Sequence, residues 1–236
     1  MRRLIGMIAL LPLLAAGGQN IKTGNHRHVF GGSSLAFVCP ASSGASYDTF
    51  AGTNGTALAA HNSCWVNLTS SYVTSHVALA GSNLIQTSVY QGGAAYNGST
   101  SDTAQMIFEP ATTSSNTYKA ICVRSTPGTS TGYCWLGGVL WGGTAVSSGE
   151  ATKNGVALAP IYGCTTMNTH TTAYTIALKA SGTSTVTLTG YVNGVACTTN
   201  ATDSSSTITS GIPGFWATYG SSLADTQMGK FCDYFC

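Results

Sequence analysis

Four Asn-Gly pairs punctuate this 236-residue chain, at 54–55, 97–98, 154–155 and 193–194. Asn and Gly tolerate the positive φ angles of two-residue hairpin turns, so each pair marks a place where a strand can double back. The runs between such turns alternate in character. Tyr174, Ile176 and Leu178 share one side of a run, and Val186, Leu188 and Val192 broadly share one side of the next. No amphipathic helix of useful length is legible. Many short strands closed by tight turns predict an all-β sandwich or barrel. The echoes NGTAL (54–58), NGVAL (154–158) and NGVAC (193–197) differ in separation and in flanking sequence, so they are recurring turns and not repeats.

Residues 1–18 read as a secretory signal peptide: Arg2-Arg3, the apolar run Leu4 to Leu14, then small residues. That run is too short to span a bilayer comfortably and no second one follows, so the mature chain is expected not to insert into a membrane. Residues 19–30 carry no period and read as an N-terminal arm, whose His26 and His28 lack a third metal ligand nearby. Residues 31–236 read as one domain, long enough to bury a sizeable core.

Charge excludes one class of partner. Once Arg2 and Arg3 leave with the leader, seven basic residues balance seven acidic ones, and Lys119, Arg124, Lys153, Lys179 and Lys230 are scattered singly. Capture of nucleic acid needs clustered cations, so no nucleic-acid partner is expected. With only 7% of residues charged, the surface must be wetted by Ser, Thr, Asn and Gly, which suits sugars and polymers. Eight cysteines behind a leader predict four disulfides in an oxidising, extracellular setting. Their spacing lacks paired Cys-x-x-Cys and His-x-x-x-His groups, which argues against zinc. The sequons at Asn54, Asn67, Asn97 and Asn200 are adequately explained by chance in a chain this rich in Asn, Ser and Thr.

The stretch YDTFAGTNGTALAAHNSCW (47–65) sets Asp48, Phe50, Gly52, Gly55, Thr56, Leu58, His61 and Trp65 in a pattern that resembles the first strands of concanavalin A-like, or laminin-G-like, jelly-roll domains. Three later stretches agree in order. SDTAQMIFEP (101–110) resembles a family strand, YKAICVRSTPGTSTGYCW (118–135) a hairpin, and TLTGYVNGVACTTNATDSSSTITSGIPGF (187–215) the penultimate hairpin with the Ser-Gly-x-Pro-Gly strand. The resemblance implies two antiparallel sheets packed face to face, with a concave face that often binds carbohydrate. Calcium, common in lectins of that superfamily, needs converging oxygen ligands, and Asp48 and Asp203 stand alone. No metal or cofactor is therefore expected.

Within the proposed hairpin Cys122 and Cys134 are symmetric about Gly128, which places them opposite each other and predicts a bridge. Cys164 is assigned to Cys197 for lack of a nearer partner. Cys39, Cys64, Cys232 and Cys236 are left to tie the two chain ends together, with connectivity open.

A binding face follows from the period of two. Gln105 and Glu109 fall on one side of their strand and Met106 and Phe108 on the other. On the next strand Tyr118 and Arg124 share a side opposite Ile121 and Val123. With the apolar sides in the core, Gln105, Glu109, Tyr118 and Arg124 form a hydrogen-bonding and stacking set on the outer, concave face; an ion pair between Glu109 and Arg124 is the plainer alternative. Near the end of the chain, Ile212 and Phe215 are expected in the core and Trp216 outside it, as a platform for a sugar or as cover for a hydrophobic edge. Trp141, between glycines in a loop, joins the candidate set.

Catalysis has little to work with. Glycan hydrolysis uses two flanking carboxylates, and the only glutamates are Glu109 and Glu150. Five histidines among so many serines make chance Ser-His pairings easy, so no serine nucleophile is singled out. His61 matches a family position that is more often structural than catalytic. The sequence therefore reads as a secreted, disulfide-stapled jelly roll that recognises a carbohydrate or cell-surface polymer without catalysis. The alternative is a structural subunit of an extracellular assembly that self-associates through edge strands. A glycan-active hydrolase using Glu109 or Glu150 comes third.

Overall fold

A computed structural model describes residues 47–98, 100–109, 117–141, 144–145, 149–164, 173–219 and 222–236, with backbone alone for 137–141 and 144–145. The expected leader, the N-terminal arm and Cys39 lie outside the described residues, as does the side chain of Trp141.

Seventeen strands account for most of these residues. The first six are β1 (Tyr47–Asp48), β2 (Trp65–Asn67), β3 (Val77–Gly81), β4 (Leu84–Thr87), β5 (Gln91–Tyr96) and β6 (Thr103–Phe108). Next come β7 (Thr117–Ser125), β8 (Tyr133–Trp141), β9 (Thr144–Ala145), β10 (Gly149–Lys153), β11 (Val156–Ile161) and β12 (Tyr174–Ser181). The last five are β13 (Val186–Val192), β14 (Val195–Ala196), β15 (Ala201–Asp203), β16 (Ile212–Thr218) and β17 (Met228–Cys232). Among the described residues, helix is confined to one turn at Leu58–His61 and two 3-10 turns at Thr74–His76 and Leu223–Thr226.

The strands form two sheets. One runs β14-β13-β12-β6-β17-β4-β3, with β1 paired to β17 and β15 to β13; the other runs β11-β10-β8-β7-β16-β5-β2, with β9 paired to β8. Neighbours are antiparallel throughout, from β1–β17 to β7–β8. The expected two-sheet antiparallel sandwich is the fold of this chain. Two of the Asn-Gly pairs act as their sequence suggests. Asn154 and Gly155 (φ 54° and 76°) turn β10 into β11, and Asn193 and Gly194 (φ 50° and 78°) turn β13 into β14.

Between the sheets lies one apolar core. It holds Met106, Phe108, Ile121, Val123, Ile176, Leu178, Val186, Leu188, Val192 and Phe215. Trp65 packs among three aromatic rings in edge-on geometry, with centroids 5.1 Å from Tyr96, 5.4 Å from Phe215 and 4.9 Å from Phe231. A smaller cluster lies on the outside of the second sheet: Leu68, Ala95, Cys122 and Ile212, with Tyr72, Cys134 and Trp216 against it. Ile212 thus belongs to the outside and not to the core. Residues three apart on a strand cannot share a face, so Ile212 goes with Trp216 while Phe215 points inward, and the ladder shifts register between Ile212 and Gly214.

Cys122 is bonded to Cys134, directly opposite it in the β7–β8 ladder, with Cα atoms 4.1 Å apart. Cys164 is bonded to Cys197. Cys232 and Cys236 are bonded to each other, which corrects the expectation that they join the chain ends. Backbone does that work instead: β1 pairs with β17, setting Tyr47 opposite Cys232. Cys64 is also disulfide-bonded, and no described cysteine is free.

Candidate functional site

The outer-face quartet expected from the sequence is not brought together. β6 belongs to one sheet and β7 to the other, so the outward sides of these two strands face opposite sides of the sandwich. Alternation reports sides within a strand and is blind to a crossing between sheets. Gln105 is buried and donates from Nε2 to the Cys236 sulfur at 3.2 Å. Glu109 follows β6, half-buried, and its carbonyl oxygen accepts from Lys119.

Arg124 is 2% exposed. Its backbone takes φ 52°, a left-handed value that departs from strand geometry, and its side chain serves the first sheet and the loop before β16. Nε donates to Asp102 Oδ1 at 2.6 Å, and one terminal nitrogen donates to the carbonyls of Gly182 (3.0 Å) and Ile208 (2.8 Å). Arg124 is a cross-sheet tie, paired with Asp102 and not with Glu109. Nearby, Tyr133 donates to Asp203 Oδ2 at 2.7 Å and accepts from the Ile208 amide at 3.0 Å. Burial, then Asp203, push the Tyr133 phenol up to about 12. Burial would also raise the Asp203 carboxyl, but Lys153 (2.8 Å), Tyr133 and the Ser205 amide outweigh it and hold Asp203 down to about 2.

The Asp48 motif is a structural node. Asp48 Oδ1 accepts from the Phe50 amide at 2.8 Å and lies 3.0 Å from His61 Nε2, while Oδ2 accepts from Trp65 Nε1 at 2.8 Å. The residues that carry the family resemblance thus fix one corner of the sandwich, with His61 among them. Glu150 is exposed in β10, opposite Pro160, in the sheet that does not contain β6, so the fold sets the two glutamates in or beside different sheets. Among the described residues no group of three His, Cys, Asp or Glu side chains could hold a metal, and no helix is long and apolar enough to cross a membrane.

The outward side of the second sheet does assemble a surface. Trp216 in β16 points away from the core, between inward Phe215 and Ala217, and is half-buried. Tyr72, from the loop after β2, stacks on it with centroids 4.8 Å apart and planes 29° off parallel. Gly93 makes this possible. It lies opposite Trp216 in the β5–β16 ladder, and a Cβ there would meet Trp216 Cβ at 2.8 Å and Tyr72 Cβ at 2.9 Å. Tyr118 of β7, half-buried, also faces outward. It pairs with Thr218, while its neighbour Ala120 pairs with Trp216, so Tyr118 sits diagonally beside the indole. Two of the expected site residues, Tyr118 and Trp216, therefore share a face, together with Tyr72. Tyr72 escaped sequence reading because it lies in a Ser- and Thr-rich loop with no period.

The fold thus defines a two-sheet β-sandwich with an aromatic outer face on one sheet. No protein-family model matches the sequence, and no curated protein does. Among solved structures, the chain is similar to the carbohydrate binding module CBM66 from Bacillus subtilis, at 14% identity over 78% of this chain and 91% of that one, with a TM-score of 0.42. It is also similar to the carbohydrate recognition domain of Emp46p, at 13% identity over 68% and 87%, TM-score 0.44. A β-glucanase of Bacillus licheniformis matches at 13% identity over 80% and 95%, TM-score 0.39. These are similarities of fold alone.

Proposed function

We propose that this protein is a secreted, non-catalytic binding domain for a carbohydrate or cell-surface polymer, and that the Tyr72–Trp216–Tyr118 face is its site. One observation carries the reading. A stacked Tyr–Trp pair is left half-exposed on the sheet, over a glycine whose replacement by any side chain would displace it. Aromatic rings that keep a face toward water suit the apolar faces of sugar rings. The disulfides fit an oxidising compartment outside the cytosol.

The test is migration of the oxidised protein through native gels containing embedded polysaccharides. Retardation by one polymer, without cleavage of it and lost in Trp216→Ala, is expected. Retardation that survives Trp216→Ala and Tyr72→Ala would place the site elsewhere.

A second reading, edge-to-edge assembly, is favoured by edge strands β11 and β14, where Val156 and Val195 are 69% and 58% exposed. Sedimentation across concentration separates it: assembly gives oligomers that grow with concentration.

A further inference from the structure

A carboxylate lies on the outward side of the second sheet, and the strand register fixes its place. Gly214, Cys122, Cys134 and Thr152 form a row across β16, β7, β8 and β10, each opposite the next. Because neighbouring strands are antiparallel, the step from Gly214 to Trp216 runs the same way as the step from Thr152 to Glu150. Trp216 and Glu150 therefore share the next row on the same face, three strand spacings or about 14 Å apart. Ala120 lies opposite Trp216 in that row, so the floor beside the indole is low. Glu150 is exposed between buried Gly149 and Ala151.

Among the described residues, no cation on this face balances the carboxylate. β7 and β10 carry three cations, and all three are held elsewhere. Lys119 donates to the carbonyls of Glu109 and Gln227, Arg124 pairs with Asp102, and Lys153 with Asp203 at 2.8 Å. Outward neighbours such as Thr218, Tyr118, Ala120 and Thr152 are uncharged. A ligand laid across the strands from Trp216 thus meets an aromatic ring, a small apolar floor and then a lone carboxylate. Carboxylates or sulfates on the ligand would be repelled there, whereas an ammonium would gain a charge-assisted hydrogen bond.

Taking the aromatic face as the binding site, we infer that its ligand is a glycan bearing amino groups, laid across β16, β7, β8 and β10 with a sugar ring on the Tyr72–Trp216 stack and an ammonium on Glu150. The aromatic stack recognises the ring, and Glu150 selects the charge of the polymer. This role needs no second carboxylate, so it suits a glutamate that the fold keeps apart from Glu109.

Calorimetric titration of the oxidised protein in mildly acidic buffer tests this, with three probes: the glucosamine hexamer, its fully N-acetylated counterpart, which has the same backbone without the charge, and hexagalacturonate. The amino hexamer should bind about fivefold more tightly than the acetylated one at low salt, the upper end for an exposed ion pair. The advantage should shrink in 0.5 M NaCl, and in Glu150→Gln the two hexamers should bind alike. Equal binding of the two by the wild type, tighter binding of hexagalacturonate, or an advantage that survives Glu150→Gln overturns the cationic ligand while leaving the aromatic face as a binding site. No binding of any hexamer by a protein that a polysaccharide gel still retards overturns this inference alone. No binding in either assay overturns both.

Discussion

Lys119 offers the sharpest test of the packing. It lies in β7 on the inward side, 2% exposed, and crosses to the other sheet to donate from Nζ to the carbonyls of Glu109 (2.5 Å) and Gln227 (2.9 Å), with the Phe108 ring 6.0 Å away. Burial pulls its ammonium from the ordinary 10.5 down to about 7, although Glu109 and Asp225 pull it back upward. Between those two values the unfolded chain holds a proton that the folded chain does not. Stability must therefore rise with pH in that window, by about 1.4 kcal/mol per pH unit. From about pH 7.5 to 9.5 the gain is roughly 2–3 kcal/mol, which moves a urea midpoint by about 1 M. The window closes near pH 10, where unfolding would begin to release protons from tyrosines such as Tyr133 that folding holds protonated. Urea unfolding of the wild type and of Lys119→Met, followed by fluorescence at several pH values, is the assay. A rising midpoint in the wild type and a flat one in Lys119→Met is expected. A flat wild-type curve, or a slope that survives in Lys119→Met, would refute the buried neutral amine.

Asp203 should govern the acid limb. Its carboxyl is held below its unfolded value of 3.8, so its contribution is complete above that value and is lost as pH falls toward about 2. The loss is about 2–3 kcal/mol, and Asp203→Asn should flatten thermal melts between about pH 4 and 2. Gly93→Ala puts a methyl group within 3 Å of the Phe215 carbonyl and of Trp216 and Tyr72. It should cost ~1–3 kcal/mol in a denaturant titration and weaken retardation in the polysaccharide gels.

Much of the sandwich is legible in local patterns because each rests on a short-range rule. The β7–β8 hairpin shows why. Gly128 takes φ 73° at its turn, and equal arms on either side bring Cys122 and Cys134 into register, so counting residues finds the bond. Alternation likewise places Ile121 and Val123 inside and Trp216 outside. Long-range information is missing from the same patterns. The chain passes from one sheet to the other between β6 and β7, which separates Gln105 from Tyr118 without altering either strand's period. Arg124 departs through a left-handed backbone angle that no neighbouring residue announces. Lys119 was legible only as one scattered charge, yet its place between Thr117 and Ile121 already puts it on the inward side of β7. The Cys232–Cys236 bond has no distinguishing signal, since four cysteines near two adjacent chain ends can pair in three ways.

The β1–β17 pairing has a mechanical consequence. The two strands are antiparallel, with Tyr47 opposite Cys232 and Asp48 opposite Phe231, so the upstream end of one and the downstream end of the other lie at the same end of a two-pair ladder. A load applied at Tyr47 and Cys232 would pull across this ladder rather than along it, and its bonds would break in succession instead of together. The next resistance is Asp48, anchored to the Phe50 amide, His61 and the Trp65 indole. Under tension the sandwich should therefore unzip from this corner, and the force needed to open it further should be set by one carboxylate.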